Sequence, residues 1–275
     1  MRVSRDNRTG VTLGSGWDPA DYAAHSAIQE GWGRALMACI PWRGDEHVLD
    51  VGCGDGRLTV LLAEAVPRGC VLGVDAAPEM IAHAQLHYPA ARYPRVRFQI
   101  CPAESIGMLG PQDVIFSNTA LHWLQDPEAF IWGAARCLRP GGGMWIYAHG
   151  RDNARDVFKA LLQAIRQRPW RTWFRSLPRP WVFPELSRYE AWLVTAGFRV
   201  DHLASVDRME RFPDATELAA WLRTTWWPYV TRVPAALQSA FVDAIVTEYL
   251  RRCPAMSDGS VPVWMQRLEL VARRL

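Results

Sequence analysis

The most constraining stretch of the chain is Val48-Leu49-Asp50-Val51-Gly52-Cys53-Gly54-Asp55-Gly56. An apolar run holding one aspartate stops at three alternating glycines. That pattern marks a buried strand ending where the backbone must bend sharply and admit a ligand with no side chain in between. Residues 58–65 then read as a helix with Leu58, Leu61, Leu62 and Ala65 on its inner face. A purely structural glycine turn gives the same local pattern, so the next strand carries the decision. Val71-Leu72-Gly73-Val74 ends at Asp75, 25 residues beyond Asp50. In doubly wound sheets an acid at that place bonds a ribose hydroxyl. Asp55, standing inside the loop, would repel a pyrophosphate and suits a ligand that carries positive charge.

Further along, residues 96–100 alternate as a third strand and residues 113–118 as a fourth, followed by a helix over 128–137. Pro140-Gly141-Gly142 is a turn, and residues 144–147 are a fifth strand. Helices are expected over 156–167, 187–195 and 214–223, with a sixth strand over 198–206. A long helix begins at Pro234 and runs to about residue 252, with Leu237, Phe241, Ile245, Val246 and Tyr249 as its inner stripe. Residues 263–273 close the sheet. The fold class is therefore α/β: a doubly wound, seven-stranded, mostly parallel sheet with a helical cap insertion. Residues 1–16 read as a flexible tail, and 17–150 as a nucleotide-binding core carrying an N-terminal helix over 17–40. Residues 151–245 read as a cap that includes the sixth strand, and 246–275 as the return to the core.

These motifs resemble the class I S-adenosylmethionine methyltransferases through residues 50–56, Val74-Asp75, Asn118-Thr119-Ala120-Leu121-His122-Trp123 and Leu138-Arg139-Pro140-Gly141-Gly142. Within that class the chain is similar to trans-aconitate, malonyl-carrier-protein and juvenile hormone acid methyltransferases. The resemblance implies S-adenosylmethionine as cofactor and S-adenosylhomocysteine as product. It sets Asp50, Gly52, Cys53, Gly54 and Asn118 near the methionine part, Asp75 on the ribose, and Ala76 to Met80 beside the adenine. It also implies that the first helix closes over the site, with Gln29 and Trp123 on the carboxyl group of the acceptor. The chain departs from its relatives after the third strand, where Pro102 replaces the usual aspartate and offers no amide hydrogen. Ala103 and Glu104 are the substitutes for holding adenine.

Candidate acceptor-binding residues are Tyr22, His25 and Trp32 of the first helix, Arg171 and Trp226. Arg171 belongs to Arg168-Pro169-Trp170-Arg171-Thr172-Trp173-Phe174-Arg175, which continues to Trp181. Interleaved guanidinium and aromatic groups bind carboxylates or phosphates, stack on bases, or merely cover a core with arginine stems. The expected reaction is methyl transfer to a carboxylate oxygen, which needs no base. The alternative is methylation of carbon, nitrogen or a phenol, with His122, His25 or Tyr147 as base.

Net charge is only +3, and residues 118–121 lack the N-P-P-aromatic pattern of base amino methylases, so nucleic acid is not an expected partner. Six cysteines without a C-x-x-C pair argue against a metal site or a disulfide framework, and read as small buried residues in a reducing cytoplasm. No apolar run reaches membrane-spanning length. The expected partner is a small acidic or aromatic acceptor, with the protein a monomer or homodimer.

Overall fold

The computed structural model describes residues 17–275. The expected tail at 1–16 lies outside the described residues. Seven strands form one sheet in the order β3-β2-β1-β4-β5-β7-β6. They are β1 (His47–Val51), β2 (Cys70–Asp75), β3 (Val96–Ile100), β4 (Gln112–Asn118), β5 (Leu138–His149), β6 (Phe198–Phe212) and β7 (Val261–Arg274). The first five run parallel, and β7 is antiparallel to both of its neighbours. The order reverses between β1 and β4, so their carboxyl ends open a crevice.

Strand alternation divides the core between the two faces of the sheet. Val48, Val114, Phe116 and Trp145 point to one face, where they meet Leu36, Leu62, Leu161 and Phe241. Leu49, Val51, Ile115 and Ile146 point to the other, against Phe130, Ala134 and Leu193. Helices α3 (Arg57–Ala65), α4 (Pro78–His87) and α5 (Pro127–Cys137) are the crossovers. Proline at the first turn starts α4 and α5, where no amide hydrogen is needed, and Asp126 caps α5 by accepting from the Ala129 N–H at 3.0 Å.

Several features differ from the sequence expectation. The N-terminal helix is two, α1 (Pro19–His25) and α2 (Ala27–Ala38), broken at Ser26. On α3 the buried positions are Thr59, Leu62 and Ala63 instead of Leu61 and Ala65, because Thr59 turns inward to Asp50. The Pro140-Gly141-Gly142 turn is absorbed into β5 as a register shift against β4. β6 runs six residues past its expected end, because it pairs with β7 through to Phe212↔Val261. Its charged positions hid it. The cysteines are not uniformly buried either, since Cys39 and Cys70 are exposed.

The later helices are α6 (Arg155–Ala164), α7 (Leu186–Thr195), α8 (Ala215–Thr225), the short α9 (Trp227–Val230) and α10 (Ala235–Arg252). Asp214 caps α8, accepting from Thr216 N–H at 2.7 Å and Glu217 N–H at 3.0 Å. On α10, Phe241, Val242, Ile245, Val246 and Tyr249 are buried, whereas Leu237 is exposed. The aromatic stretch before β6 splits in function. Trp170 and Phe174 each lie 5.3 Å from Phe241, sealing α10 to the core, while Arg168, Arg171, Arg175 and Arg179 stay outside. Among the described residues no helix is long and apolar enough to cross a membrane.

Candidate active site

The loop after β1 is drawn onto β2 by its own backbone: the Gly52 and Cys53 N–H groups both donate to the Val74 carbonyl, at 2.8 and 3.0 Å. Gly52 has φ +74°, and a Cβ there would lie 2.3 Å from the Ala120 Cβ. No other residue fits where the β1 loop meets the end of β4. Two residues on, the Gly54 N–H donates to Asp75 Oδ2 at 3.0 Å, and the Ala77 N–H donates to Oδ1 at 2.9 Å. The carboxylate is thereby fixed with a further lone pair on each oxygen. Burial raises its pKa, and the backbone donors partly offset that.

Asp55 does not face the ligand space as a bare charge. Arg57 donates to it at 2.8 Å, to Glu30 at 2.7 Å and to the Ala23 carbonyl at 2.7 Å, tying α1 and α2 to the loop. Asp50 is buried beneath the loop, accepts from the Thr59 hydroxyl at 2.6 Å, and is pushed up to about 7 by burial, with Asp75 and Asp55 adding repulsion. Asp50 and Cys53 line a small polar recess beside the main cleft, together with Asp55 and Arg57.

The cleft itself has about 1200 Å³ of space, counting its open mouth. One end is built from Gly52, Gly54, Asp75, Ala76 and Met80, with Ala103 and Glu104 across from them. Ala77, within the expected 76–80 stretch, and Cys101, which follows directly on β3, also line it. The glycine surface without Cβ atoms, the pinned acid and the buried apolar Met80 fit an adenosine-bearing cation such as S-adenosylmethionine.

The other end is aromatic. Trp123 lies 5.3 Å from Trp17 and 5.8 Å from Trp181, and stacks within 11° of Trp227 at 6.4 Å. Trp181 packs edge-on against Trp226 at 5.1 Å. His122 stacks on His149 at 4.2 Å, and its Nδ1 accepts from the His149 N–H at 3.4 Å. Burial lowers both imidazoles, His149 to about 4, so both are neutral, and His122 carries its proton on Nε2. Gln29 and Asn118 meet between the two ends, where Asn118 Nδ2 donates to the Gln29 carbonyl at 2.8 Å. Thr119, next in the chain, holds φ +54°, a strained setting for a β-branched residue, and takes a hydrogen bond with Tyr22 of α1.

Most of the expected site residues line this cleft; Asp50 and Cys53 lie in the recess beside it, and Arg171, His25 and Trp32 lie away from it. Arg171 is exposed on a single 3-10 turn outside it. His25 is held 3.7 Å from Asp21 and 3.6 Å from Glu217, where α1 meets α8. Trp32 is a layer back: it donates to Glu210 at 2.7 Å and packs edge-on against His149. Sequence reasoning missed Trp17, His149, Asn153, Trp181 and Trp227. His149 was findable as the last residue of β5, because ligands gather at the carboxyl ends of strands; Asn153 had no signal.

A methyltransferase-domain family model matches residues 48–142. A trans-aconitate 2-methyltransferase of Variovorax paradoxus is 30% identical over 269 residues, covering 94% of this chain and 98% of the relative. One from Methylobacterium nodulans is 29% identical over 262 residues, with the same coverage. The YcgJ protein of Bacillus subtilis shares the fold, with a TM-score of 0.56 and 19% identity over 89% of this chain and 98% of that one. The cleft, the pinned acid and these relatives agree, and the chain belongs to the class I methyltransferases, enzymes whose cofactor is S-adenosylmethionine.

Proposed function

We propose that the enzyme transfers a methyl group to a carboxylate oxygen of a small acid, giving a methyl ester. The observation that carries this is the lack of a matched base among the described residues of the acceptor end. His149 at about 4 and His122, also lowered by burial, are too weakly basic to take a proton from a phenol or an amine cation. A carboxylate needs none, since its attacking lone pair is present at neutral pH. The named activity of the two bacterial relatives, on trans-aconitate, supports the same acceptor chemistry.

When bound, S-adenosylmethionine supplies an electrophilic methyl group on a sulfonium. In this scheme Asp75 holds the ribose hydroxyls, Ala76 and Met80 flank the adenine, and Ala103 and Glu104 replace the missing acid at Pro102. Gly52 and Gly54 leave the methionine part room, with Asn118 beside it and Asp50 and Cys53 supporting the loop from below. Gln29 orients the acceptor carboxylate, and its Oε1 is buried without a hydrogen-bond partner among the described residues. Trp123, Trp226 and Tyr22 exclude water, and His122 offers Nε2–H as a donor rather than acting as a base. Holding the oxygen in line with the methyl group contributes up to about 7–11 kcal/mol in favourable cases.

The test is product analysis with a panel of acids, phenols and amines. An alkali-labile methyl ester formed from an acid supports the proposal. Methylation confined to phenols or amines removes it.

A further inference from the structure

We infer that the acceptor is a monocarboxylate on a flat aromatic or conjugated body, and that Trp181 is a determinant of that choice. The inference rests on the esterification proposed above and narrows it. Its basis is the charge and shape of the acceptor end, which match one negative charge and a large apolar surface.

Among the described residues that line the cleft, none is arginine or lysine, and the two acids, Asp75 and Glu104, sit at the cofactor end. Two nearby guanidinium groups are already engaged, and Arg179, two residues before Trp181, is exposed. Arg57 is spent on Asp55 and Glu30, and Arg267 is bound to Glu269 at 2.5 Å with its face 3.9 Å from the Tyr147 ring. Among the described residues a tricarboxylate brought here would find no counter-ion for its second and third charges, and an unpaired buried charge is strongly disfavoured. A single carboxylate asks for much less. The amides of Gln29 and Asn153, each with a buried oxygen lacking a partner, can turn to present N–H groups, and His122 adds its Nε2–H.

The rest of the wall is ring surface. Trp123 and Trp227 lie parallel within 11°, while Trp17 meets both at steep angles, 75° and 67°. Such faces favour a flat π-system by offset or edge-on contact, beyond what simple burial gives. Trp181 links this group to Trp226 and Tyr229, and its indole N–H and that of Trp227 are buried without acceptors. Indole nitrogens only donate, so an arriving oxygen is the kind of group they lack.

The experiment is equilibrium titration of the purified full chain, saturated with S-adenosylhomocysteine, read by tryptophan fluorescence. The probes are cinnamate, indole-3-acetate and trans-aconitate, with methyl-ester formation from each followed in parallel using S-adenosylmethionine. At least one aryl monoacid should bind 10-fold or more tightly than trans-aconitate. Trp181→Ala should weaken that preferred acid 10-fold or more while S-adenosylhomocysteine affinity stays within twofold, and Trp181→Phe, which keeps a ring but loses the N–H, should fall between. Equal, reversed or undetectable acid affinities overturn the inference, as does a Trp181→Ala variant that binds the acid normally. If trans-aconitate is both bound better and esterified, the inference falls and the ester-forming function stands. If no acid is esterified while p-cresol or a primary amine is methylated, the proposed function falls with it.

Discussion

At the β1–β3 end of the cleft, backbone N–H groups from Gly54 and Ala77 pin one acid, and glycines keep side chains away. At the β4–β7 end, indole rings, amides and neutral imidazoles form the wall, and few of their polar atoms are held by the backbone. One end is preorganised by main chain and the other is assembled from side chains. A fixed charge with oriented donors recognises one ligand closely and has little tolerance for change. A ring-lined wall recognises apolar surface and adapts to related shapes.

Asp75→Ala tests the first half of that contrast most severely. It leaves the Gly54 and Ala77 N–H groups unpaired and, in the proposed scheme, removes the acceptor for two ribose hydroxyls. Hydrogen bonds to a charged group are worth about 1.5–3 kcal/mol each, so S-adenosylhomocysteine affinity measured by calorimetry should fall about 100-fold or more. Unchanged affinity would mean that the cofactor lies elsewhere.

Gly52→Ala probes the same end through shape. The added Cβ would sit 2.3 Å from Ala120 at a φ of +74°. Overpacking costs about 1–3 kcal/mol and the left-handed setting about 1 more. Urea unfolding should therefore show a loss of about 3 kcal/mol, and Ala120→Gly in the same chain should restore the packing part. Failure of the second change to rescue would show that backbone strain, and not the close approach to β4, demands glycine.

This contrast also explains what was legible in the sequence. The cofactor end comes from three short segments, residues 51–54, 75–80 and 101–104, each at the end of a strand recognisable by its apolar run. Local pattern and local function coincide there, and the sheet itself followed from the same runs. The acceptor end is drawn from Trp17, Trp123, His149, Asn153, Trp181 and residues 225–227, which only the completed topology brings together. Nothing local separates Trp181, which lines the cleft, from Trp170, which packs on Phe241, because both stand in one arginine-tryptophan run. Arg171 was misplaced for the same reason: a guanidinium beside two tryptophans looks like a ligand site until the turn points it to solvent. The break at Ser26 was invisible because serine is tolerated within helices as well as at their ends.

Gln29→Ala addresses the junction between the two ends. Its side chain is 4% exposed, and its backbone carbonyl rather than its amide holds Asn118, so truncation leaves that contact intact. Loss of one orienting hydrogen bond to a carboxylate corresponds to about 1.5–3 kcal/mol, or roughly 10- to 100-fold in kcat/KM for the acid. S-adenosylhomocysteine affinity should change by less than twofold. A matching loss of cofactor affinity would assign Gln29 to the cofactor end instead.

The smallest expected effect is a flat pH profile, and it bears on the character of the side-chain end. Neutral imidazole is already the dominant form of His149 above about 4, and burial keeps His122 below its ordinary value as well. Neither ring changes charge between pH 6.5 and 9, and an acceptor carboxylate is ionised throughout that range. With an acid acceptor, kcat/KM should vary less than twofold from pH 8 to 9, above the range in which Asp50, pushed up to about 7, ionises, and His122→Asn should not add an inflection. Stability runs the other way on the acid side. For both histidines the folded pKa lies below the unfolded value of about 6.5, so their contribution is complete above that pH and is lost as pH falls toward 4. Asp50, pushed up to about 7, contributes in the opposite sense over the same range, so the histidine part is read as a difference: between pH 6.5 and 4 the thermal midpoint of His149→Asn should rise relative to that of the parent chain. A rate that climbs tenfold per pH unit through the histidine range, and loses that climb in His122→Asn, would instead make His122 a working base and return the enzyme to phenol or amine methylation.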